Sequence, residues 1–168
     1  MKTSRTRVAT KIFPCTRDDI RGLLRLDRKC FVSGEAFDGE MIREAFDLGV
    51  KVFRVEVDGY KYAASFYLEQ DHVIEGTSTW RISMTKMEEV LEDQTHVMSI
   101  GVDPKYQGRG IGNVIMRRVL RYKRPIFLEV RSSNKPAVHL YTKYGFVRCG
   151  RLRSYYPDGS DAYRMRLV

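Results

Sequence analysis

The amino-acid sequence predicts a single α/β domain, covering residues 1–168, with a mixed β-sheet. Its 168 residues are enough to bury one hydrophobic core. Neither a repeat nor a low-complexity tract nor a linker rich in Pro, Gly and Ser divides the chain. Strand-like and helix-like stretches alternate only in the second half, which favours a sheet that combines parallel with antiparallel strands.

The first half of the chain is predicted to form a strand, two helices and a hairpin. The strand lies at VATKIF, and Thr16 and Asp19 then occupy the N-cap and N3 positions of a first helix. A second, short helix is expected at about residues 39–48. The stretch KVFRVEVDGYKYAASFYLEQ has strand-like runs on both sides of Asp58 and Gly59, a pair typical of two-residue hairpin turns.

The second half is predicted to alternate strands and helices. THVMSIGV is a strand, about residues 110–123 form a helix, and IFLEV is the next strand. A helix capped by Asn134 is expected at about residues 134–144, and two more strands follow it. Before all of these, Glu88 completes a T-x-x-E capping pattern with Thr85, which predicts one more short helix.

Positive charge is concentrated in the C-terminal part of the chain. The formal net charge is +9, and from Lys105 to Val168 fifteen Lys and Arg residues stand against three acidic residues. From Glu69 to Gln94, by contrast, seven acidic residues stand against two basic ones. Clustered positive charge favours a polyanionic partner such as nucleic acid, the ribosome or a phosphate-rich cofactor, and a solvated basic surface is the simpler alternative.

The cysteines and the hydropathy pattern predict a soluble intracellular protein. Cys15, Cys30 and Cys149 are odd in number and lack C-x-x-C spacing, which argues against a disulfide framework or a zinc site and for a reducing compartment. No apolar run reaches the roughly 18 to 20 residues that span a membrane. The start, MKTSRTRVATKIF, is basic and free of acids as transit peptides are, but it lacks the apolar core of a signal peptide and leads into a strand. A cytoplasmic location is expected.

A glycine-rich stretch, YQGRGIG, connects a predicted strand to a predicted helix. Gly108, Gly110 and Gly112 leave the backbone free of Cβ atoms, and the first N–H groups of the following helix have no partner within the helix. Together with Arg109 and the helix dipole, these groups would suit a phosphate. The spacing is neither that of a P-loop nor that of the dinucleotide-binding fingerprint. A tight turn without any ligand is an equally good interpretation of the spacing alone.

Three motifs carry a resemblance to a known family. Gln107-x-x-Gly110-x-Gly112 resembles the Q/R-x-x-G-x-G/A signature of the GNAT superfamily of acetyl-CoA-dependent N-acetyltransferases. LEVRSSNKPAVHLYTKYGF (128–146) and RSYYPDGSDAYRM (153–165) are similar to blocks of its RimI-like, N-terminal (Nα) acetyltransferase subgroup. The resemblance covers about residues 95–168. It implies a mostly antiparallel mixed sheet of six to seven strands, splayed between the fourth and fifth strands and flanked by about four helices.

The resemblance also implies how acetyl-CoA would bind as cosubstrate. Backbone amides of the glycine-rich loop would bind the pyrophosphate, and the strand MSIGV would lend backbone groups to the pantetheine arm. An asparagine at the start of the later helix would touch the same arm, a role compatible with capping that helix. No metal is implied. The residues expected at the coenzyme are Ile100, Val102, Gln107, Gly108, Arg109, Gly110, Ile111, Gly112 and Asn134.

Two residues are implied as catalytic and two as binding the acceptor. Glu129 matches the general base, acting through water, although spacing alone favours a carboxylate paired with Arg131 on the same strand face. Tyr141 matches the tyrosine that protonates the leaving thiolate, although its helix stripe is also typical of core residues. Tyr155 and Tyr156 match the segment that clamps the incoming peptide, and strand-end aromatics are the alternative interpretation.

The remaining histidines and Cys149 are weaker candidates for a functional site. His72, His96 and His139 share no metal-ligand spacing, and His139 is expected on the surface. His96 starts the strand that leads to the predicted active site, so contact with a substrate is a minor possibility. Cys149 has no obvious base nearby in the sequence and is expected to pack as a small apolar residue.

The predicted function is acetyl transfer from acetyl-CoA to the α-amine of a protein or peptide N-terminus, with a ribosomal protein as one candidate. A small-amine acetyltransferase acting on a polyamine, amino acid or aminoglycoside is the alternative enzyme. A non-catalytic acetyl-CoA-binding or ribosome-associated module is the alternative of another class. The loop CFVSGEAFDGE lacks a proline signature of peptide-binding loops, and the acids of residues 71–94 would suit a cationic acceptor. Neither direct DNA binding nor membrane binding is expected, and the protein is expected to be a monomer or a homodimer.

Overall fold

The computed structural model describes residues 9–32, 34–70, 94–122 and 125–168. The strands are β1 Thr10–Pro14, β2 Lys51–Val57, β3 Tyr60–Gln70, β4 Thr95–Val102, β5 Ile126–Arg131, β6 Val147–Leu152 and β7 Ala162–Leu167. The α-helices of these ranges are α1 Ile20–Cys30, α2 Gly39–Asp47, α3 Ile111–Val119 and α4 Lys135–Lys143, and 3-10 turns lie at Arg17–Asp19 and Pro104–Tyr106. The helix predicted from Thr85 and Glu88, and the acids of residues 71–93, lie outside the described residues.

All seven strands join one sheet in the order β1-β2-β3-β4-β5-β7-β6. Only the β4–β5 pair among them is parallel, and the other neighbours are antiparallel. The mixed, mostly antiparallel sheet predicted from the sequence is therefore confirmed. The parallel pair is reached by a crossover through α3, as a parallel connection requires.

Local sequence signals account for the first helix and for the hairpin. The backbone N–H of Thr16 donates to Oδ2 of Asp19 at 2.9 Å, and the reciprocal capping contact is also present. At the β2–β3 turn, Asp58 and Gly59 both have left-handed φ angles, of 48° and 83°. A two-residue turn with both φ angles positive matches the twist of the strands it joins, which explains the Asp-Gly pair.

Two hydrophobic clusters hold the helices onto the sheet. α3 and α4 contribute to the larger one, where Ile115 and Met116 are fully buried with strand residues such as Phe66 and Leu128. α1 and α2 contribute to the smaller one through Leu23, Ile42 and Ala45. α3 ends at Val119, earlier than the predicted end near residue 123. In the described ranges, no helix has the length and apolar character needed to cross a membrane.

Candidate active site

The sheet opens between β4 and β5. These strands pair only at Thr95–Val97 of β4, opposite Ile126–Leu128 of β5. On the other side of β4, Tyr67 faces Ser99 while Leu68 faces Val97, so Met98 is an extra residue that makes a β-bulge. A bulge bends its strand and increases the local twist. The predicted splay is therefore confirmed, and the later part of β4, which includes Ile100 and Val102, lies beyond the paired stretch.

The loop after β4 has an open, glycine-rich backbone that leads into a helix N-terminus. Gly108 and Gly110 have φ angles of +73° and +81°, in the left-handed region that favours glycine. A Cβ atom at either position would have no neighbour within 4 Å, so both backbones face open space. α3 begins at Ile111, and no side chain caps its first turn. Its leading N–H groups and the helix dipole therefore suit a phosphate group.

Other residues predicted at the coenzyme have structural contacts of their own. The Gln107 amide donates to the Val102 carbonyl at 3.1 Å and so ties the loop to the end of β4. The Arg109 guanidinium lies over the Tyr106 ring, 5.1 Å from its centre. A Cβ on Gly112 would lie 2.8 Å from a Leu140 methyl group, so this glycine lets α3 pack tightly on α4. The predicted role of Asn134 as a helix cap is confirmed, because its Oδ1 accepts from the Ala137 N–H at 3.2 Å.

Glu129 lies on β5 beside the opening and contacts His96 of β4. Nε2 of His96 is 2.7 Å from Oε2 of Glu129, and Nε of Arg164 is 3.6 Å from Oε1. The Glu129 side chain is only 9% exposed. The pairing with Arg131 that spacing favoured is wrong, because Arg131 instead contacts Glu35 and Asp158. Glu129 pairs with His96 and Arg164 on neighbouring strands rather than with Arg131 on its own strand, and residue spacing does not show which strands are neighbours.

The His96–Glu129 contact shifts the pKa of both groups. Burial alone would lower the pKa of His96, but the charge and hydrogen bond of Glu129, helped by Glu69, raise the pKa to about 9. Burial alone would raise the pKa of Glu129, but His96 and Arg164 together lower it below the ordinary carboxyl value. At neutral pH the two side chains therefore form a buried ion pair, with His96 protonated and Glu129 ionised.

Tyr155 and Tyr156 lie close to Glu129, and Tyr141 lies close to Tyr156. Tyr155 and Tyr156, in the loop between β6 and β7, have their pKa raised by burial, and the negative charge of Glu129 raises it further in both. Tyr141 of α4 is 8% exposed, and burial followed by the proximity of Tyr156 raises its pKa. All three phenols are therefore protonated at neutral pH. The structure thus brings the predicted residues of β5, α4 and the β6–β7 loop into one electrostatic neighbourhood.

His96 contacts the candidate catalytic residue Glu129 more directly than its place in the sequence indicated. The packed position predicted for Cys149 is wrong. His96 is fully engaged with Glu129 and stacks on Phe127 at 4.4 Å between ring centres. His96 lies directly opposite Phe127 in the parallel β4–β5 pair. The sequence does not show this strand register, which places His96 beside Glu129. Cys149 is exposed on β6, which is an edge strand, rather than packed. The surface position predicted for His139 is confirmed.

Comparison with known proteins identifies the family. The model of the Acetyltransferase (GNAT) family matches residues 60–146, which is more than half of the chain. The chain belongs to the GNAT acetyltransferase family. The match runs from the start of β3 to the residue before β6, and so it includes the opening of the sheet, the glycine-rich loop and the helix that carries Tyr141.

Individual relatives agree with this GNAT assignment. "N-alpha-acetyltransferase RimI" of Mycobacterium tuberculosis is 51% identical over 73 residues, which are 42% of this chain and 46% of the relative. This chain thus spans about half the length of that relative. An N-alpha-acetyltransferase of Sulfurisphaera tokodaii is 36% identical over 116 residues, 62% of this chain and 70% of the relative. The crystal structure of the ribosomal-protein-S18-alanine N-acetyltransferase from Escherichia coli has the same fold, with a TM-score of 0.73 at 23% identity over 95% of this chain and 93% of that one.

Proposed function

We propose that this protein transfers an acetyl group from acetyl-CoA to the α-amine of a protein or peptide N-terminus. One observation carries the proposal. A buried carboxylate, Glu129, lies beside the opening between β4 and β5, paired with a histidine and close to the tyrosines of the β6–β7 loop. A proton acceptor and protonated phenols therefore meet at a gap in the sheet next to the N-terminus of α3.

The residues around the opening fit acetyl-CoA as a substrate. The open left-handed backbone at Gly108 and Gly110, with the N-terminus of α3, would hold the pyrophosphate. Ile100 and Val102, beyond the paired part of β4, would offer backbone groups to the pantetheine arm, and Asn134 would contact the same arm. The substrate supplies the activated acetyl thioester. Gln107 keeps the loop attached to β4 in this arrangement.

Glu129, held in place by His96, would remove the proton from the incoming amine. An α-ammonium group has a pKa of roughly 7.7 to 8.0, so it must lose a proton before it can attack a thioester. Glu129 accepts this proton through water, and His96, itself protonated at neutral pH, donates to Glu129 across their 2.7 Å contact and holds the carboxylate in place. Freeing a lysine amine, with a pKa near 10.4, would cost about 3.5 kcal/mol more. The pair is therefore better matched to an N-terminus.

Tyr141 would serve the leaving group. Its raised pKa keeps the phenol protonated, so its O–H can donate a hydrogen bond to a thiolate sulfur as negative charge develops there. Tyr155 and Tyr156 would order the acceptor, since they stand in the loop next to Glu129. The E. coli protein that shares the fold acts on ribosomal protein S18, which makes a ribosomal protein one acceptor worth testing.

The small-amine alternative draws less support from the described residues. A polyamine or aminoglycoside site would need carboxylates available to several ammonium groups. In the part of the chain that the structure covers, carboxylates around the site are matched by cations: Glu129 by His96 and Arg164, Glu69 by His96, and Glu35 and Asp158 by Arg131. The acidic stretch that motivated this alternative lies outside that part.

An acceptor comparison tests the proposal. Thiol release from acetyl-CoA is measured with short peptides that have a free N-terminus, with the same peptides blocked at the N-terminus and carrying an internal lysine, and with spermidine. We expect the free N-terminus to react fastest. Changing Tyr155 or Tyr156 to Ala should raise the KM for the peptide more than it alters acetyl-CoA affinity. If blocked lysine peptides or spermidine react faster, the proposed N-terminal acceptor is wrong. If no amine is acetylated, the protein is a non-catalytic binding module.

A further inference from the structure

One guanidinium group, that of Arg131, joins three separate segments beside the candidate active site. Arg131 is the last residue of β5, two positions after Glu129. Its Nη2 pairs with Oε1 of Glu35 in the α1–α2 loop. Its Nη1 lies 2.7 Å from Oδ2 of Asp158 and also contacts Ser160, both in the β6–β7 loop. The two loops are far apart in the sequence and meet at this side chain.

Further contacts extend the junction between the two loops. The Arg131 guanidinium lies over the Tyr156 ring at 4.4 Å from its centre. A Cβ atom on Gly34 would lie 3.6 Å from the ring carbons of Pro157, so the loops also touch through the backbone of Gly34. Within the β6–β7 loop, Asp158 accepts from the Ser160 backbone and hydroxyl, at 3.0 and 2.7 Å.

Each charge at this junction has an opposite charge beside it. The Glu35 side chain is 12% exposed and the Arg131 side chain 21% exposed, so their ion pair is largely withdrawn from water. Arg131 also helps to lower the pKa of Asp158, after the Ser160 hydroxyl. A planar guanidinium with several N–H donors can hold two carboxylates in different directions at once, which a lysine ammonium cannot do with the same geometry. Removing either carboxylate would therefore weaken the hold on the other loop.

We propose that Arg131 is a positioning residue that locks the α1–α2 loop to the β6–β7 loop, so that the loop carrying Tyr156 is held in place before the peptide binds. The inference rests on the proposed function, in which Tyr156 orders the acceptor. Holding the loops in place lowers the cost of ordering them on binding and so acts on acceptor affinity. Arg131 does not contact Glu129, and its substitution leaves the proton-accepting pair in place.

The kinetic test compares peptide KM, kcat and acetyl-CoA affinity in Arg131→Lys, Glu35→Gln and Asp158→Asn. Each variant is expected to raise peptide KM about tenfold while kcat and acetyl-CoA affinity change little. Because one guanidinium bridges both loops, the Glu35→Gln/Asp158→Asn double variant should raise KM no more than the stronger single variant. Arg151→Gln is the matched control, since it removes a 2.7 Å ion pair between Arg151 of β6 and Asp161 of the β6–β7 loop and does not involve the α1–α2 loop. Its KM should stay within about twofold of wild type.

A measurement that needs no acceptor separates this inference from the proposed function. Amide hydrogen exchange at residues 34–38 should accelerate in Asp158→Asn, although that substitution is in the other loop. The same residues should keep wild-type exchange in Arg151→Gln. Additive effects on KM, or exchange that changes only in the loop that carries the substitution, would overturn the coupling through Arg131. If the enzyme acetylates a different amine but Asp158→Asn still accelerates exchange at residues 34–38, the link between the loops through Arg131 stands and only the proposed acceptor is wrong.

Discussion

Nε2 of His96 lies 2.7 Å from Oε2 of Glu129, although the two residues are 33 positions apart in the chain. They stand on β4 and β5 at the point where the pairing of these strands ends. Both side chains are at least nine-tenths buried, and each stabilises the charged form of the other. A protonation event in this pair therefore takes place at the inner end of the opening in the sheet.

The His96–Glu129 pair predicts an unusually basic histidine. NMR titration of the His96 ring protons should give a pKa of about 9 in the wild type. In Glu129→Gln the partner charge is lost while burial remains, so the pKa of His96 should fall by more than one unit. A His96 pKa that is equal in both proteins would contradict the pairing.

Catalysis should depend on the same pair. Glu129→Gln is expected to lower kcat/KM by about 100- to 10,000-fold, which is the usual contribution of general acid–base catalysis. The loss should be greatest below the pKa of the acceptor amine, where deprotonation is hardest. The pH profile of kcat/KM with a free N-terminal peptide measures both effects. Activity within about twofold of wild type at every pH would place the proton acceptor elsewhere.

Tyr141→Phe removes one hydroxyl group and keeps the ring that packs near Phe146. We expect kcat to fall by about 100-fold or more while the acetyl-CoA dissociation constant stays close to normal. Tyr144→Phe is the matched control on the same helix, because it removes a hydroxyl that donates to Asn113 at 3.1 Å and lies outside the proposed chemistry. Equal losses in both variants would indicate a packing effect and would remove Tyr141 from the mechanism.

The glycine-rich loop predicts an effect of acetyl-CoA on thermal stability. Saturating the site at a hundredfold excess over the dissociation constant should stabilise the fold by roughly 2.7 kcal/mol. Gly110→Asp should abolish this shift, since it places a carboxylate where the pyrophosphate would bind. Gly59→Asp is the control, because Gly59 also has a positive φ angle, of 83°, and open space at its Cβ, but lies in the β2–β3 turn. If calorimetry finds that acetyl-CoA stabilises Gly110→Asp as much as wild type, the loop is a turn and does not bind the pyrophosphate.

Asp27 of α1 predicts a pH dependence of stability that is separate from catalysis. Burial raises its pKa from 3.8 to about 7, and the nearby Phe37 amide only partly offsets this. The carboxyl group is fully buried, and neither oxygen makes a hydrogen bond of good geometry to the described residues. The folded protein thus holds a proton that the unfolded chain releases, and the free energy of unfolding should fall as the pH rises from about 4 to 7.

Asp27→Asn should remove this dependence. Relative to wild type, the variant should gain stability between pH 4 and 7, by an amount on the order of 4 kcal/mol at 1.36 kcal/mol per pKa unit. Asp103 is a control of opposite sign, because the Lys105 amide and Lys29 more than offset its burial and lower its pKa. Asp103→Asn should cost stability at neutral pH, and this cost should shrink in acid. Urea unfolding of wild type, Asp27→Asn and Asp103→Asn across this pH range measures these free energies. If the difference in free energy of unfolding between Asp27→Asn and wild type does not change with pH, the raised pKa of Asp27 is refuted.

Much of the fold follows from local rules that act over a few residues. The capping box at Thr16 and Asp19, the Asp58-Gly59 turn and the Asn134 cap each depend on contacts within four positions, and all three are present. The ends of helices were predicted less accurately than their presence: α3 ends at Val119 and not near residue 123. The coenzyme and catalytic assignments came from motifs, whose spacing is a property of the chain itself. They remain predictions for the variants above to test.

The sequence by itself determined the order of strands and helices, the glycine-rich turn before α3 and the family motifs, because these are local in the chain. Only the tertiary structure decided which charges meet. Glu129 contacts His96 and Arg164 rather than Arg131, and Arg131 contacts Glu35 and Asp158. Such pairs depend on strand register and on where two distant loops fold back, and neither quantity is encoded in residue spacing. For this protein, the residue types of the site were readable from the sequence, and their electrostatic partners were not.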